Sequence, residues 1–291
     1  MPDLPTVRFA VFTDLHIGAT TANRWHNRFL TDEPEATLAA TVAAVNDERP
    51  DFVLVTGDLS DTANEAELRL ARATLDGLDA PWIVSRGNHD QTLAGDSDAF
   101  RRCFGDRAPV GLVGADRLPL PDGVSLLSLD ADWRTEGDKW RVFLPDEQVE
   151  QAVAALAERQ PELLLIACHF PFVRQSDYIR SQAADGRNAG TLWGGEQALA
   201  RLTDGAKTTL VFAGHQHFHH ITTGADWLHC TTASLAEYPA EFRIVESGPA
   251  GIHIHTLPGA PEIVAGAPVE AAWVHGRIGD REAHWPGVRS L

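Results

Sequence analysis

The chain has 291 residues, 44% hydrophobic and 22% charged, which excludes a disordered polymer and leaves room for one large domain or two small ones. Its 41 Asp and Glu against 24 Lys and Arg give a formal charge of −17. That balance excludes a protein that grips long nucleic acid through its phosphates, a mode that needs an excess of cations. Three cysteines cannot complete a set of disulfides and fit a reducing compartment.

The opening MPDLPTVRFAVF has an early acid, two prolines and no basic region before a long apolar stretch, so neither a signal peptide nor a membrane segment is expected and the location expected is cytoplasmic. Val7 to Thr13 reads as a buried strand, Glu35 to Arg49 as a helix stopped by Pro50, and Phe52 to Thr56 as a second strand. Asn64 to Leu78 has helical spacing and Trp82 to Ser85 is a third strand, which completes a β-α-β-α-β beginning. Further strands are expected at Val124 to Leu129, Leu163 to Cys168 and Thr209 to Ala213, with helices at Pro145 to Arg159 and Gly195 to Leu202. Beyond Ile221, short β-like pieces at Trp227 to Thr231, Phe242 to Val245 and Gly251 to Thr256 suggest a second, more antiparallel sheet. Residues 1–257 form the expected catalytic domain. The stretch 258–291, rich in Pro, Gly and Ala, is either a surface tail packed on that domain or an arm onto a neighbouring subunit.

Metal-ligand residue types follow most of these strands. Asp14 and His16 come after the first, Asp58 after the second, Asn88, His89 and Asp90 after the third, His169 after the run ending at Cys168, and His215 and His217 after the next. In a mainly parallel sheet such C-terminal strand ends converge on one edge. Each residue alone has a plainer reading: a helix cap for Asp14 or Asp58, a turn for Asn88 or Asp90, a core histidine for His169, loop residues for His215 and His217. Gathered together, these carboxylates and imidazoles would need cations, and the lack of Cys among them favours ions such as Mn, Fe, Zn or Co.

The ordered series FTDLHIG, TGDLSDTA, RGNHD, CHF and AGHQH resembles the calcineurin-like metallophosphoesterase superfamily. That resemblance implies a four-layer α/β/β/α sandwich of the metallo-dependent phosphatase type, with two mixed sheets flanked by helices and a two-metal site. By motif position, one ion would take Asp14, His16 and His217, the other Asn88, His169 and His215, and Asp58 would bridge them. The ions would be Fe, Mn or Zn. They would sit about 3.5–4 Å apart, give a phosphodiester anion a positive site and supply hydroxide near neutral pH for attack on phosphorus. His89 would stabilise the leaving oxygen or donate a proton to it, and Asp90 would orient His89.

Asp61 stands where purple acid phosphatases carry a Tyr, and GDLSDTA with GNHD departs from the GDxxDRG and GNHE of Ser/Thr phosphatases. The remaining segments, with EFRIVE after the last ligand, look like bacterial class III cyclic-nucleotide and glycerophosphodiester phosphodiesterases. The expected activity is therefore hydrolysis of a small phosphodiester. A phosphomonoesterase or nucleotide pyrophosphatase is the alternative enzyme, and a non-catalytic scaffold the alternative of another class. A homodimer is the expected assembly, from those relatives and from the commonest symmetry. His26 either lines the substrate pocket or belongs to a surface loop. His219 and His220 read as flanking residues only, His253 and His255 as a solvated strand face, and Asp177 to Gly195 as a wall over the site or a plain connection.

Overall fold

A computed structural model describes residues 4–136, 139–182 and 190–286. Two six-stranded sheets dominate it. Across the first run β14 (Ala283–Trp285), β13 (Gly251–Pro258), β12 (Glu241–Gly248), β1 (Val7–Phe12), β2 (Phe52–Val55) and β3 (Trp82–Val84). Across the second run β10 (His220–Thr223), β11 (Trp227–Thr231), β9 (Thr208–Ala213), β8 (Leu163–Ala167), β5 (Val124–Ser128) and β4 (Gly111–Leu112). A separate hairpin joins β6 (Asp132–Glu136) to β7 (Lys139–Phe143).

The central strands are buried on both faces, which is why they read as unbroken apolar runs. Val7, Phe9 and Val11 of β1 meet Leu165, Leu210 and Phe212 of the second sheet in one core. Phe9 stacks on Phe52 at 4.9 Å and meets Phe212 edge-on at 5.4 Å across the sheets. The alternate residues, Ala10 and Phe12, face α1 (Pro34–Glu48), α2 (Glu65–Leu75) and α3 (Asp98–Phe104) through Leu38, Leu68 and Phe104. On the far side, Leu164, Ile166 and Val211 face α4 (Asp146–Arg159) and α6 (Gly195–Thr203) through Val149, Leu156, Leu199 and Leu202. The order of layers is therefore helices, sheet, sheet, helices. A short α5 (Asp177–Gln182) lies outside them.

β1, β2 and β3 are parallel, as are β5, β8, β9 and β11. The expected separate antiparallel sheet after Ile221 does not form. β12 joins the first sheet antiparallel to β1, β13 and β14 continue it with each strand antiparallel to the last, and β10 and β11 extend the second. Alternation identifies a strand but not its partner, and β1 would otherwise leave an apolar edge unpaired. The C-terminal stretch packs on the domain through α7 (Pro261–Val264), α8 (Ile278–Arg281) and β14, with Asn27 Oδ1 accepting from the amides of Glu270 and Ala271. Among the described residues no helix is long and apolar enough to cross a membrane.

Candidate metal centre

The loops after β1, β2, β3, β8 and β9 meet at one rim, and their backbone is bent to do so. Asp14, His16, Asp58, His215 and His217 all adopt left-handed φ values, between 45° and 68°. Such a conformation costs a non-glycine residue about 1–3 kcal/mol and persists where surrounding structure enforces it, often at functional sites. Gly87 lets two of these loops touch: a Cβ there would stand 2.1 Å from Asp58 Oδ1. Gly190 does the same against the loop after β9, where a Cβ would stand 2.1 Å from His215 Nε2.

Among the described residues three metal-capable groups occur, one of them His16 with Asp61 and His89, and the other two share one carboxylate. Asp14, His16, Asp58 and His217 make the first of these two, and Asp58, His169 and His215 the second. Asp58 Oδ2 lies 3.8 Å from His16 Nε2 and 3.3 Å from His169 Nε2, so this one oxygen faces both groups. His217 Nε2 is 3.2 Å from Asp14 Oδ1, and Asn88 Oδ1 is 3.2 Å from His169 Nε2. The Asp14 carboxylate also accepts from the His215 amide at 3.0 Å.

Partners behind the imidazoles fix their tautomers. The Nδ1–H of His16 donates to Asp61 Oδ1 at 3.1 Å, that of His217 to Glu237 Oε1 at 2.9 Å, and that of His169 to the Thr56 carbonyl at 2.7 Å. With those nitrogens turned outward, the Nε2 atoms of His16 and His217 face each other at 3.2 Å. Two nitrogens at that separation must share a proton or a cation, since bare lone pairs would repel. Nitrogens sharing one ion at bond lengths of about 2.0–2.1 Å stand about 3–3.5 Å apart, so the donor set fits a metal.

The electrostatics agree. Burial works against charge on Asp14 and Asp58, but His217 draws the first below its ordinary value, and His169 with His89 draws the second well below. Burial likewise opposes charge on the imidazoles, yet Asp58 holds His169 up at about 9 and Asp14 holds His217 up at about 10. His215 is pushed down to about 3 by burial and then by its neighbour His169. The carboxylates thus demand positive charge that only protons or cations can supply.

The remaining expected residues take distinct places. His89 donates its backbone N–H to Asp58 Oδ1 at 2.8 Å and its Nδ1–H to the Asp61 carbonyl at 2.7 Å, which leaves Nε2 free on a ring 40% exposed. Burial opposes its charge, but Asp58 raises its pKa above the ordinary imidazole value. Asp90 makes no bond to the His89 ring. Its carboxylate accepts from the amides of Leu59, Ser60 and Gly87, clamping the loops that carry Asp58 and Asn88, and burial followed by Asp58 raises it to about 6. His26 is buried, donates to the Gln216 carbonyl at 3.0 Å and packs on Trp273, so it sits behind the loop of His215 and His217.

His219 and His220 bond Glu241 and Asp280. His253 stacks on His284 and joins no metal-capable group among the described residues. Of the segment Asp177 to Gly195, positions 183–189 lie outside the described residues. Sequence reasoning missed Asp61 and Glu237 as supports of the ligand imidazoles. Asp61 follows Asp58 by three residues, a local signal, whereas Glu237 has no motif beside it.

A family model for calcineurin-like phosphoesterases matches residues 7–219. A relative from Rhodopseudomonas palustris, named as a probable cyclic nucleotide phosphodiesterase, is 30% identical over 220 residues, 72% of each chain. A cAMP/cGMP dual specificity phosphodiesterase of Mycobacterium tuberculosis is 25% identical over 217 residues, 70% of this chain and 59% of that protein's length. Among solved structures, a dimetal phosphatase from Danio rerio superposes with a TM-score of 0.65 at 17% identity, covering 88% of this chain and 97% of that one. The purple acid phosphatase of yellow lupin seeds gives 0.54 at 14%, covering 91% and 53%. Likeness at such identities shows the fold alone. The family match spans β1 to His219 and so takes in every donor of the two groups; the chain belongs to the calcineurin-like phosphoesterase family.

Proposed function

We propose that the chain hydrolyses a phosphodiester bond in a small substrate of the cyclic-nucleotide or glycerophosphodiester class. The observation that carries this reading is the Asp58 carboxylate shared by two donor groups, with the His89 ring standing beside it at the solvent side. Mn, Fe or Zn ions, when bound by these residues, would supply Lewis acidity toward a phosphoryl oxygen and lower the pKa of water. Asp14, His16 and His217 would hold one ion, Asn88, His169 and His215 the other, with Asp58 between them. The thiols do not compete: Cys168 and Cys230 are buried, and burial pushes each up to about 12.

The chain's own residues arrange the leaving group. The bond from Nδ1 to the Asp61 carbonyl orients the His89 ring while its backbone bond to Asp58 holds the loop, so Nε2 is turned away from that carbonyl on a ring that lines the open cavity. From there a proton can be handed to a departing alkoxide, which a diester with a poor leaving group needs. Both curated relatives described above are named for action on cyclic nucleotides, which supports a diester over a monoester.

The test is hydrolysis of aryl phosphate mono- and diesters by the manganese-loaded chain, followed by a panel of natural diesters. Preference for diesters is expected. A marked preference for monoesters would reverse the assignment, and stoichiometric metal with no turnover of any phosphoester would make the chain a scaffold.

A further inference from the structure

We infer that the β6–β7 hairpin forms a nucleobase-binding wall beside the metal centre, so that among small diesters the chain selects nucleoside phosphodiesters over glycerol-based ones. The inference rests on the phosphodiester reading for its chemistry but stands on separate residues. A cavity of about 690 Å³ opens next to the centre, with Asn88 and His89 at one end and Trp133 and Trp140 along the hairpin. This size suits a mononucleotide, within the range of about 300–1,000 Å³ usual for small-molecule sites.

The register places both indoles on one face of the hairpin, since Trp133 pairs with Val142 and Trp140 with Thr135. Their rings are 6.1 Å apart. Trp140 stacks on His215 at 5.9 Å and 25° and packs on Phe170 at 5.8 Å, so it is anchored to a metal-donor imidazole. Yet Trp140 remains 38% exposed. Leu93, also lining the cavity, is 95% exposed. The Trp133 indole N–H is buried and has no acceptor among the described residues. Large apolar surface left in water is unfavourable, and a planar heterocycle laid against the indoles relieves it.

The lining also narrows the occupant by charge. Among the described residues it includes Asp61 and no Lys or Arg, a lining that does not favour a second phosphate or an acidic group. A glycerol moiety would gain little from the indole faces, whereas every nucleobase has a π-face to stack on them.

The test is calorimetric titration of the manganese-loaded full chain with adenosine 5′-monophosphate and with ribose 5-phosphate, which share phosphate and sugar and differ by the base. About tenfold tighter binding of the nucleotide is expected, the gain of one stacked base. Trp133→Leu should bring that ratio close to one. Trp140→Phe, which keeps a ring against His215, should lower it less, with metal content checked in both variants by elemental analysis. Equal affinities in the unsubstituted chain, or an unchanged ratio in Trp133→Leu, would overturn the base wall while leaving diester hydrolysis untouched. A retained preference for the nucleotide in a chain that turns over no diester would sink the catalytic reading and leave the wall standing.

Discussion

Asp61 serves two imidazoles through different atoms. Its carboxylate takes the Nδ1–H of His16, and its backbone carbonyl takes that of His89. A partner behind a ligand imidazole sets its tautomer and ring plane, and its loss costs about 10–100-fold in metal affinity. Asp61→Ala should therefore weaken manganese binding by about that factor in a direct metal titration. Asp61→Asn should weaken it less, because an amide oxygen still accepts the proton. The His89 contact survives both substitutions, since it uses the main chain. Unchanged affinity in the alanine variant would show that the Asp61 carboxylate does not support the site. His89→Ala makes the opposite split. It keeps the backbone N–H that steadies Asp58, so metal content should hold while kcat falls about 10²–10⁴-fold, most on diesters with poor leaving groups. Full activity on such substrates would remove the proton-donor role.

At the scale of elements, α8 and β14 fasten the C-terminal stretch to the sheets through ionised carboxyls. Asp280 accepts from His220 Nδ1 at 2.8 Å and from the backbone and side chain of Arg277 at 3.0 and 2.9 Å. Burial would raise its pKa, but these donors hold it well below the ordinary value. Glu241 meets His219 and Arg281, which against burial bring it down to about 2. Both folded-state values lie below the unfolded ones of about 4, so the stabilisation is complete above that pH and drains away as pH falls through the folded values. Amide exchange should then show residues 278–285 losing protection between about pH 4 and pH 2, ahead of β8 and β9. Equal protection of both regions down to pH 2 would refute that attachment. Legibility in the sequence follows the same division between buried and polar elements. β1, β2, β3, β8 and β9 were readable because both faces are buried, and the donors stand just after them. The hairpin was not, because DWRTEGDKWRVF alternates indoles with charges and belongs to neither large sheet. Asp90 looked like a partner of its neighbour His89, yet it serves three amides brought close only by the fold. Glu237 meets His217 from 20 residues further along the chain, a contact that local spacing does not encode.

For the whole molecule, the layers and the centre place opposite demands on stability. Three large apolar clusters join the helices to the sheets and the sheets to each other, and these clusters do not depend on the donors. The centre concentrates left-handed backbone, buried carboxylates and closely spaced imidazoles at one rim. Cations relieve that cost only while bound, and they bind the folded chain alone, because the donors come from segments as far apart as Asp14 and His217. Stability should then follow metal concentration by mass action. Each ion at a hundred times its dissociation constant adds about 2.7 kcal/mol, so two add about 5 kcal/mol. For a chain of this size about 1 kcal/mol moves the melting temperature by about 2–4 °C, which puts the rise on the order of 10 °C or more. Calorimetric scans with manganese and with a chelator should differ by that amount, while the chelated chain keeps its far-ultraviolet circular dichroism and one cooperative transition. Collapse of the whole fold on chelation would mean that the apolar clusters cannot hold the layers by themselves. Identical melting temperatures across a saturating metal range would mean that the rim residues do not hold cations at all.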